Sequence, residues 1–318
     1  MLVYHYCSLS SLFSMIENNE IWLTSIRSSY DKDEVELSHN IGHEVVQKKL
    51  IADCDLFLNQ KSNITTDYFC LSCTKKKNES FFHFHSYGDV LFGVRIAFDT
   101  TVFDNYIERL QYDIINKNQD QINFNFLNFS KIIYNKNMQI KKFIDTYNES
   151  DNALKEFSFY NSPKSKINKL YVFNNTIRIF EPYFKQSTYS AEEEIRLVFD
   201  PYIYKLRKSI LKQQINNVKK QDLKDENHKN RLNKYKTELN IIENTMNSLF
   251  KNVEPKFAMF GRNLRSYYAL NIKDLIKDDF IKEIVVGSKS IHNIDHIDKY
   301  LKSKHLNIKL IESKLNII

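Results

Sequence analysis

Glycine is nearly missing from this chain. Only five are present in 318 residues: Gly42, Gly88, Gly93, Gly261 and Gly287. Neither a G-x-G-x-x-G fingerprint nor a Walker A loop can be written with them, since both need closely spaced glycines to bring backbone against phosphate. A Rossmann dehydrogenase, a P-loop NTPase and a protein kinase are therefore disfavoured, and any nucleotide must be held some other way. Proline is as scarce, at four, and cysteine also numbers four, without the regular spacing of a disulfide framework. Reduced thiols in a cytoplasmic protein are the expectation. No apolar run approaches the ~20 residues that span a bilayer. The opening Met1-Leu2-Val3-Tyr4-His5-Tyr6 lacks the basic region and long apolar core of a signal peptide, so no membrane association is expected.

What is present supports a large core. The apolar fraction is 42%, with 23 Phe and 19 Tyr. One domain over residues 1–318 is the expected organisation. The net charge of +7 gathers in Lys75-Lys76-Lys77 and between Tyr204 and Lys236, which permits nucleic-acid contact without establishing it.

Strands are predicted at Leu2–Tyr6, Glu20–Thr24, Asp67–Cys73, Phe92–Phe98, Glu194–Phe199, Lys256–Leu270, Glu283–Gly287 and Ile308–Glu312. Helices are predicted at Leu9–Asn18, capped by Ser8 or Ser10, at Asp33–Leu58 and at Ile294–Lys304. Lys169–Phe173 and Thr176–Phe180 read equally as strand or helix. Tyr202 to Asn252, free of Gly and Pro, reads as two antiparallel helices broken near Asp225-Glu226-Asn227.

The densest chemical signal is Glu192-Glu193-Glu194-Ile195-Arg196-Leu197. In a strand, Glu192, Glu194 and Arg196 share one face, and Glu193, Ile195 and Leu197 the other. Two like charges side by side are costly unless something cationic lies between them, so the cluster suits a site that binds or stabilises positive charge. A solvated edge strand with an ordinary ion pair is the competing reading. Cys70-x-x-Cys73 with His83-x-His85 has the residue types of a zinc site, but the odd-even spacing turns the two thiols apart, so packed thiols are favoured and no metal is expected. His39 and His43 lie one turn apart on a predicted helix, with no glutamate of an H-E-x-x-H motif between them. His5, Arg27 and Asp31-x-x-Glu34 place polar groups at the ends of elements, where sites are built. Lys205 to Lys236 reads as a solvated basic face or as an arm for nucleic acid or a partner.

In order along the chain, Tyr4-His5-Tyr6-Cys7-Ser8-Leu9, Trp22-Leu23-Thr24, Asp31-x-x-Glu34, Cys70-Leu71-Ser72, Tyr87-Gly88-Asp89, Phe184-Lys185, Glu192-x-Glu194-x-Arg196-Leu197 and Lys282 to Gly287 resemble the blocks of the bacterial domain-of-unknown-function family 2971. Tyr30, Lys32 and Phe84 depart from its pattern, and the segment after Asp200 reads as an insertion at about 202–252. That family in turn resembles the ADP-ribosyltransferases of the His-Tyr-Glu type. The resemblance implies an α+β fold with split mixed or antiparallel sheets, flanking helices and a helical insertion. It implies NAD as substrate, held without a glycine loop.

By resemblance, Glu194 stabilises the ribose cation and hydrogen-bonds the 2′-hydroxyl, Glu192 is the general base, and His5 holds the other ribose or orients the dinucleotide. Tyr87, or Tyr30, stacks on nicotinamide, and Arg27 and Arg196 face the pyrophosphate or pair with the glutamates. Tyr6, Ser8 and Ser72 complete the implied NAD contacts. The implied acceptor is a macromolecule, nucleic acid ahead of protein, in a toxin or antiphage effector with an antitoxin or defence-system partner. Two alternatives stay open: a non-catalytic binding module using the basic segment, and a metal-dependent phosphotransferase or nuclease using the same acids.

Overall fold

A computed structural model describes residues 1–28, 32–52, 54–57, 67–115, 126–156, 165–219, 226–251, 253–260 and 263–315. In chain order the elements are β1 (Leu2–Cys7), α1 (Leu9–Asn18), β2 (Glu20–Ser25), α2 (Lys32–Gln47), β3 (Phe69–Thr74), α3 (Phe81–Ser86), β4 (Val94–Asp99), α4 (Thr100–Ile115), β5 (Leu127–Lys131), α5 (Lys136–Glu156), α6 (Ser165–Phe180), β6 (Glu194–Phe199), α7 (Pro201–Lys219), α8 (Glu226–Leu249), β7 (Lys256–Phe260), β8 (Asn263–Asn271), α9 (Lys273–Lys277), β9 (Ile281–Val286), α10 (Ile294–Ser303) and β10 (Lys309–Glu312). The protein is α+β. Among the described residues ten strands form one mixed, mostly antiparallel sheet, in which β9 and β10 are the parallel pair of strands.

Local chemistry sets most boundaries. Ser8 caps α1 by accepting from the Ser11 amide, as its sequence position suggests. The helix predicted over Asp33–Leu58 stops earlier, at Gln47. Lys49 adopts φ 53°, its amide donates to the Val46 carbonyl, and the Leu50 amide donates to that of Val45. This is a Schellman ending made without glycine. The ambiguous stretch from Lys169 to Phe180 lies on one helix, α6, and Lys256–Leu270 divides into β7 and β8, paired antiparallel. The break proposed near Asp225 falls largely outside the described residues.

β3 organises the sheet. Along one edge it pairs with β6 over its whole length, from Phe69↔Phe199 to Thr74↔Glu194. Along its other edge it changes partner. Phe69 and Cys70 face β2, through Ser25 and Thr24, whereas Thr74 faces Tyr4 of β1. Between them Ser72 has no strand partner on that side among the described residues. β1 and β2 run the same way, joined through α1, and part over the middle of β3.

The two faces of the sheet differ. Val3, Cys7, Leu71, Cys73, Ile195, Leu197 and Phe199 enter the main core on one face. Leu211 of α7 and Ile241, Ile242, Met246 and Leu249 of α8 join that core, so the basic helical pair is anchored by its apolar stripe. Its charges partly neutralise one another: Arg207 pairs with Glu238, and Lys208 lies 2.9 Å from Glu243. On the opposite face side chains of α2, α5 and α6, including Val45, Phe143 and Phe173, pack with Phe184 from the turn after α6 as a second core. A small patch of Tyr4, Tyr6, Phe84, Leu91 and Val285 covers β1 and β4. The polar groups of β3 and β6 lie on this second face. No helix among the described residues is long and apolar enough to cross a membrane.

Gly93 and Gly287 both leave no room for a side chain. A methyl group at Gly93 would run into the carbonyl oxygen of Cys7 and the backbone of Gly88, where the chain enters β4 beside the end of β1. Gly93→Ala is expected to destabilise the fold by about 1–3 kcal/mol through overpacking. The midpoint of urea unfolding measures this; an unchanged midpoint would mean that the β1–β4 junction yields freely.

Candidate active site

A cavity of about 710 Å³ opens where β1 and β2 part. His5, Ser72, His83, Tyr87, Lys185 and Glu194 are among its lining residues, with Trp22 and Phe260 also on its wall. His5, Tyr87, Glu192 and Glu194, which lie up to 189 positions apart in the sequence, thus meet in one cleft.

The acids are held by a chain of buried charges. Lys185 Nζ lies 2.6 Å from Glu192 Oε2 and 3.0 Å from Glu194 Oε2. Arg196 donates from Nε to Glu194 Oε1 at 2.7 Å, from Nη1 to the Pro182 carbonyl at 3.1 Å, and from Nη2 to Glu34. Three carboxylates and two cations leave the cluster one negative charge in excess. Its members are buried, with Glu194 only 6% exposed. At that depth, removing one partner strands a charge away from water.

The alternation expected from Glu192 to Arg196 holds only from Glu194 onward. Glu192 ends a 3-10 turn, and Glu193 takes φ 46°, so the chain pivots before β6 begins. Glu192 reaches the site by that pivot, with its carbonyl receiving the Thr74 hydroxyl at 2.7 Å. Glu193 points away and meets Lys75 at 3.3 Å. The edge-strand reading is overturned, because β6 lies between β3 and β5 and is buried throughout.

Burial pushes the Glu194 carboxyl up, but the Arg196 guanidinium and then the Lys185 ammonium outweigh it and hold the pKa at about 2, against an ordinary 4.5. Burial draws Lys185 down while Glu194 and Glu34 raise it further, so it stays protonated. The folded carboxyl binds its proton more weakly than the unfolded one. Its stabilising contribution is therefore complete above about pH 4.5 and is lost as the pH falls toward 2. The expected loss is on the order of 3 kcal/mol. Urea unfolding across that window checks this, and Glu194→Gln should give a shallower decline. Equal steepness in the variant would remove Glu194 as the cause.

His5 Nδ1 lies 2.8 Å from the Ser72 carbonyl. A carbonyl only accepts, so Nδ1 carries the proton and Nε2 is left as an acceptor. Burial lowers the pKa of the ring, with the Ser72 contact opposing, which favours this neutral form. The Tyr87 hydroxyl donates to Glu192 Oε1 at 3.1 Å, and burial followed by Glu192 raises its pKa. The Glu194 amide donates to the Tyr134 hydroxyl at 3.0 Å. Tyr6 lines the cleft and receives the Ser80 amide, while its ring stacks on His83 at 5.2 Å.

Several expected contacts fall elsewhere. Arg27 is not on the cleft wall; it meets Glu181 at 3.2 Å, and Glu181 also receives His39. Arg196, on the cleft wall, takes the second of its two expected roles and pairs with the glutamates. Ser8 serves as the α1 cap, whereas Ser10, Ser11 and Ser14 line the cleft. Tyr30 lies outside the described residues. Cys70 and Cys73 face opposite sides of β3, as their spacing predicts, and no group of His, Cys, Asp or Glu among the described residues could hold a metal ion.

Sequence reasoning missed Lys185 and Glu34 as members of the cluster. The cost of adjacent acids signalled that a cation was needed, but not that it comes from the turn after α6.

The family described as "Protein of unknown function (DUF2971)" matches residues 84–197. The matched stretch includes Tyr87, Lys185, Glu192, Glu194 and Arg196; His5 and Glu34 precede it. No curated protein and no solved structure matches the chain.

Proposed function

We propose that this protein is an NAD-dependent ADP-ribosyltransferase-like enzyme that modifies a macromolecule, with the cleft between β1 and β2 as its site. The observation that carries this reading is the meeting of His5, Tyr87 and Glu194 in one cavity, with the excess negative charge at its buried end. The sheet is one continuous sheet and not the split pair expected from the resemblance; the cleft lies where β1 and β2 part over the middle of β3.

The cleft suits a dinucleotide in size, since pockets for such ligands run from about 300 to 1,000 Å³. Its chemistry also suits one. Ser10, Ser11 and Ser14 present hydroxyls along α1, whose amino-terminal end carries partial positive charge for a pyrophosphate. His5 Nε2 accepts from a ribose hydroxyl. Tyr87, half-exposed above Glu192, offers a ring face to nicotinamide.

Breaking the nicotinamide–ribose bond sends its electron pair out with nicotinamide and leaves positive charge on the ribose. Glu194, ionised and fixed before the reaction, stabilises that charge from a largely buried position. Lys185 and Arg196 hold the carboxylate in position. Glu192 takes the proton of the attacking acceptor group as the new bond forms at the ribose carbon. Tyr87 and Lys185 orient Glu192 for this.

The test is incubation with NAD labelled on its adenylate phosphate, in extract pretreated with nuclease or with protease. Nicotinamide release with label on a macromolecule is the expected result, and the sensitive pretreatment names the acceptor class. No release at any enzyme concentration would end this reading and leave a binding module. Exposed Lys212, Lys219, Arg231 and Lys236 on α7 and α8 favour that second reading.

A further inference from the structure

Helix α3 carries an unusual surface. Phe81, Phe82 and Tyr87 are 52%, 50% and 49% exposed, and Phe92 nearby is 48% exposed. The rings are arranged, not scattered. Phe81 stacks on His85 at 5.8 Å, and Phe82 sets its edge to Tyr87 at 6.2 Å. Tyr87 then enters the cleft through its bond to Glu192. An aromatic track therefore runs from open surface to the acids.

The track is bordered by cations. Lys75-Lys76-Lys77 leads through Asn78 and Glu79 into Ser80, the α3 cap. Lys75 pairs with Glu193, but Lys76 and Lys77 make no ion pair among the described residues. Lys289 lies over the Phe92 ring at 5.2 Å. The acids at this border are Glu79, engaged by Ser313 and the Lys314 amide, and exposed Asp89.

We infer that this face is a docking platform for single-stranded nucleic acid. Its bases stack on Phe81 and Phe82, leading toward Tyr87 at the mouth of the cleft, and its phosphates lie toward Lys76 and Lys77. Flat rings half open to water beside unpaired ammonium groups match the two features of a single strand, free base faces and regular negative charge. A duplex offers only the second, because its base faces are already stacked. The position of the platform at the acid end of the cleft identifies the strand as the acceptor, a step that rests on the transferase reading; the platform itself does not. It also moves the nucleic-acid contact away from the basic α7–α8 pair.

Fluorescence anisotropy with labelled twelve-nucleotide single strands of DNA and RNA, and with the matching duplex, tests this on the full chain. Wild type should bind at least one single strand more tightly than the duplex. Phe81→Ala with Phe82→Ala should weaken binding about tenfold or more. Lys76→Ala with Lys77→Ala should flatten the salt dependence by about 1.4 in log–log slope, near 0.7 per phosphate on a single strand. Thermal unfolding of both variants confirms their folds, which these exposed side chains do not sustain. Absence of single-strand binding, equal binding of the duplex, or unchanged affinity in the aromatic variant would each overturn the platform. Wild-type protein separates the two ideas: strand binding without any nicotinamide release sinks the transferase reading and leaves the platform standing.

Discussion

Glu194→Gln is expected to lower NAD-dependent nicotinamide release by about 10²–10³-fold, the usual effect of removing one preorganised electrostatic stabiliser. The substitution keeps the shape of the side chain and removes its charge. Arg196 and Lys185 remain, so the cleft becomes net neutral where positive charge must develop. A loss of turnover much larger than any change in NAD affinity would place the effect in the transition state. Loss of the carboxylate also disturbs two buried cations, so the unfolding midpoint must be followed in parallel. Release at the wild-type rate from a folded variant would end the assignment of Glu194 as the stabilising group, whatever else lines the cleft.

Lys185→Met is expected to have the largest effect on stability, about 3–5 kcal/mol, because it leaves buried carboxylates without their shared partner. Glu192 loses a contact of 2.6 Å and Glu194 one of 3.0 Å. Arg196 still faces Glu194, but Glu192 retains only the Tyr87 hydroxyl as a side-chain donor among the described contacts. Urea unfolding at neutral pH measures the loss. The deficit should narrow at acid pH, since a carboxylate deprived of its cation is relieved by protonation. Lys185→Arg, which keeps the charge, should recover part of the stability. A deficit below about 1 kcal/mol in the methionine variant would mean that the cleft is wet enough to screen the acids.

Most strands are legible because each carries a short alternating or apolar run, and Ser8 marks the start of α1 through its own side chain; β5, in the Asn-rich stretch at Leu127–Lys131, is not, and β7 and β8 read as one strand. The end of α2 is not legible, because it depends on Lys49 taking a left-handed conformation that glycine would have announced. α6 is ambiguous for a different reason. Val172, Phe173, Ile177 and Phe180 pack among α2 and α5, while Asn174 and Asn175 interrupt the apolar stripe that marks a helix. Within the site, Glu194 stands out because acids at the start of a buried strand are conspicuous. Glu34 does not, since its meaning lies in an ion pair with Arg196, which is 162 residues away. Lys185 stands out only as part of a family block, and nothing local in its neighbourhood distinguishes it from a surface lysine. Arg27 shows the converse: a basic residue at a strand end reads as a ligand until Glu181 is seen to claim it.

The change of partner along β3 also bears on what limits the width of the cleft. Behind the opening, the β3–β6 ladder is unbroken over six residue pairs. Bending that ladder to widen the gap would disturb Ile195, Leu197 and Phe199 in the main core. Side-chain replacements on the wall therefore retune charge and hydrogen bonding, while the thickness of molecule that fits is gauged by main chain. Selectivity for shape and selectivity for chemistry are consequently separable in this protein, the first being rigid and the second open to substitution.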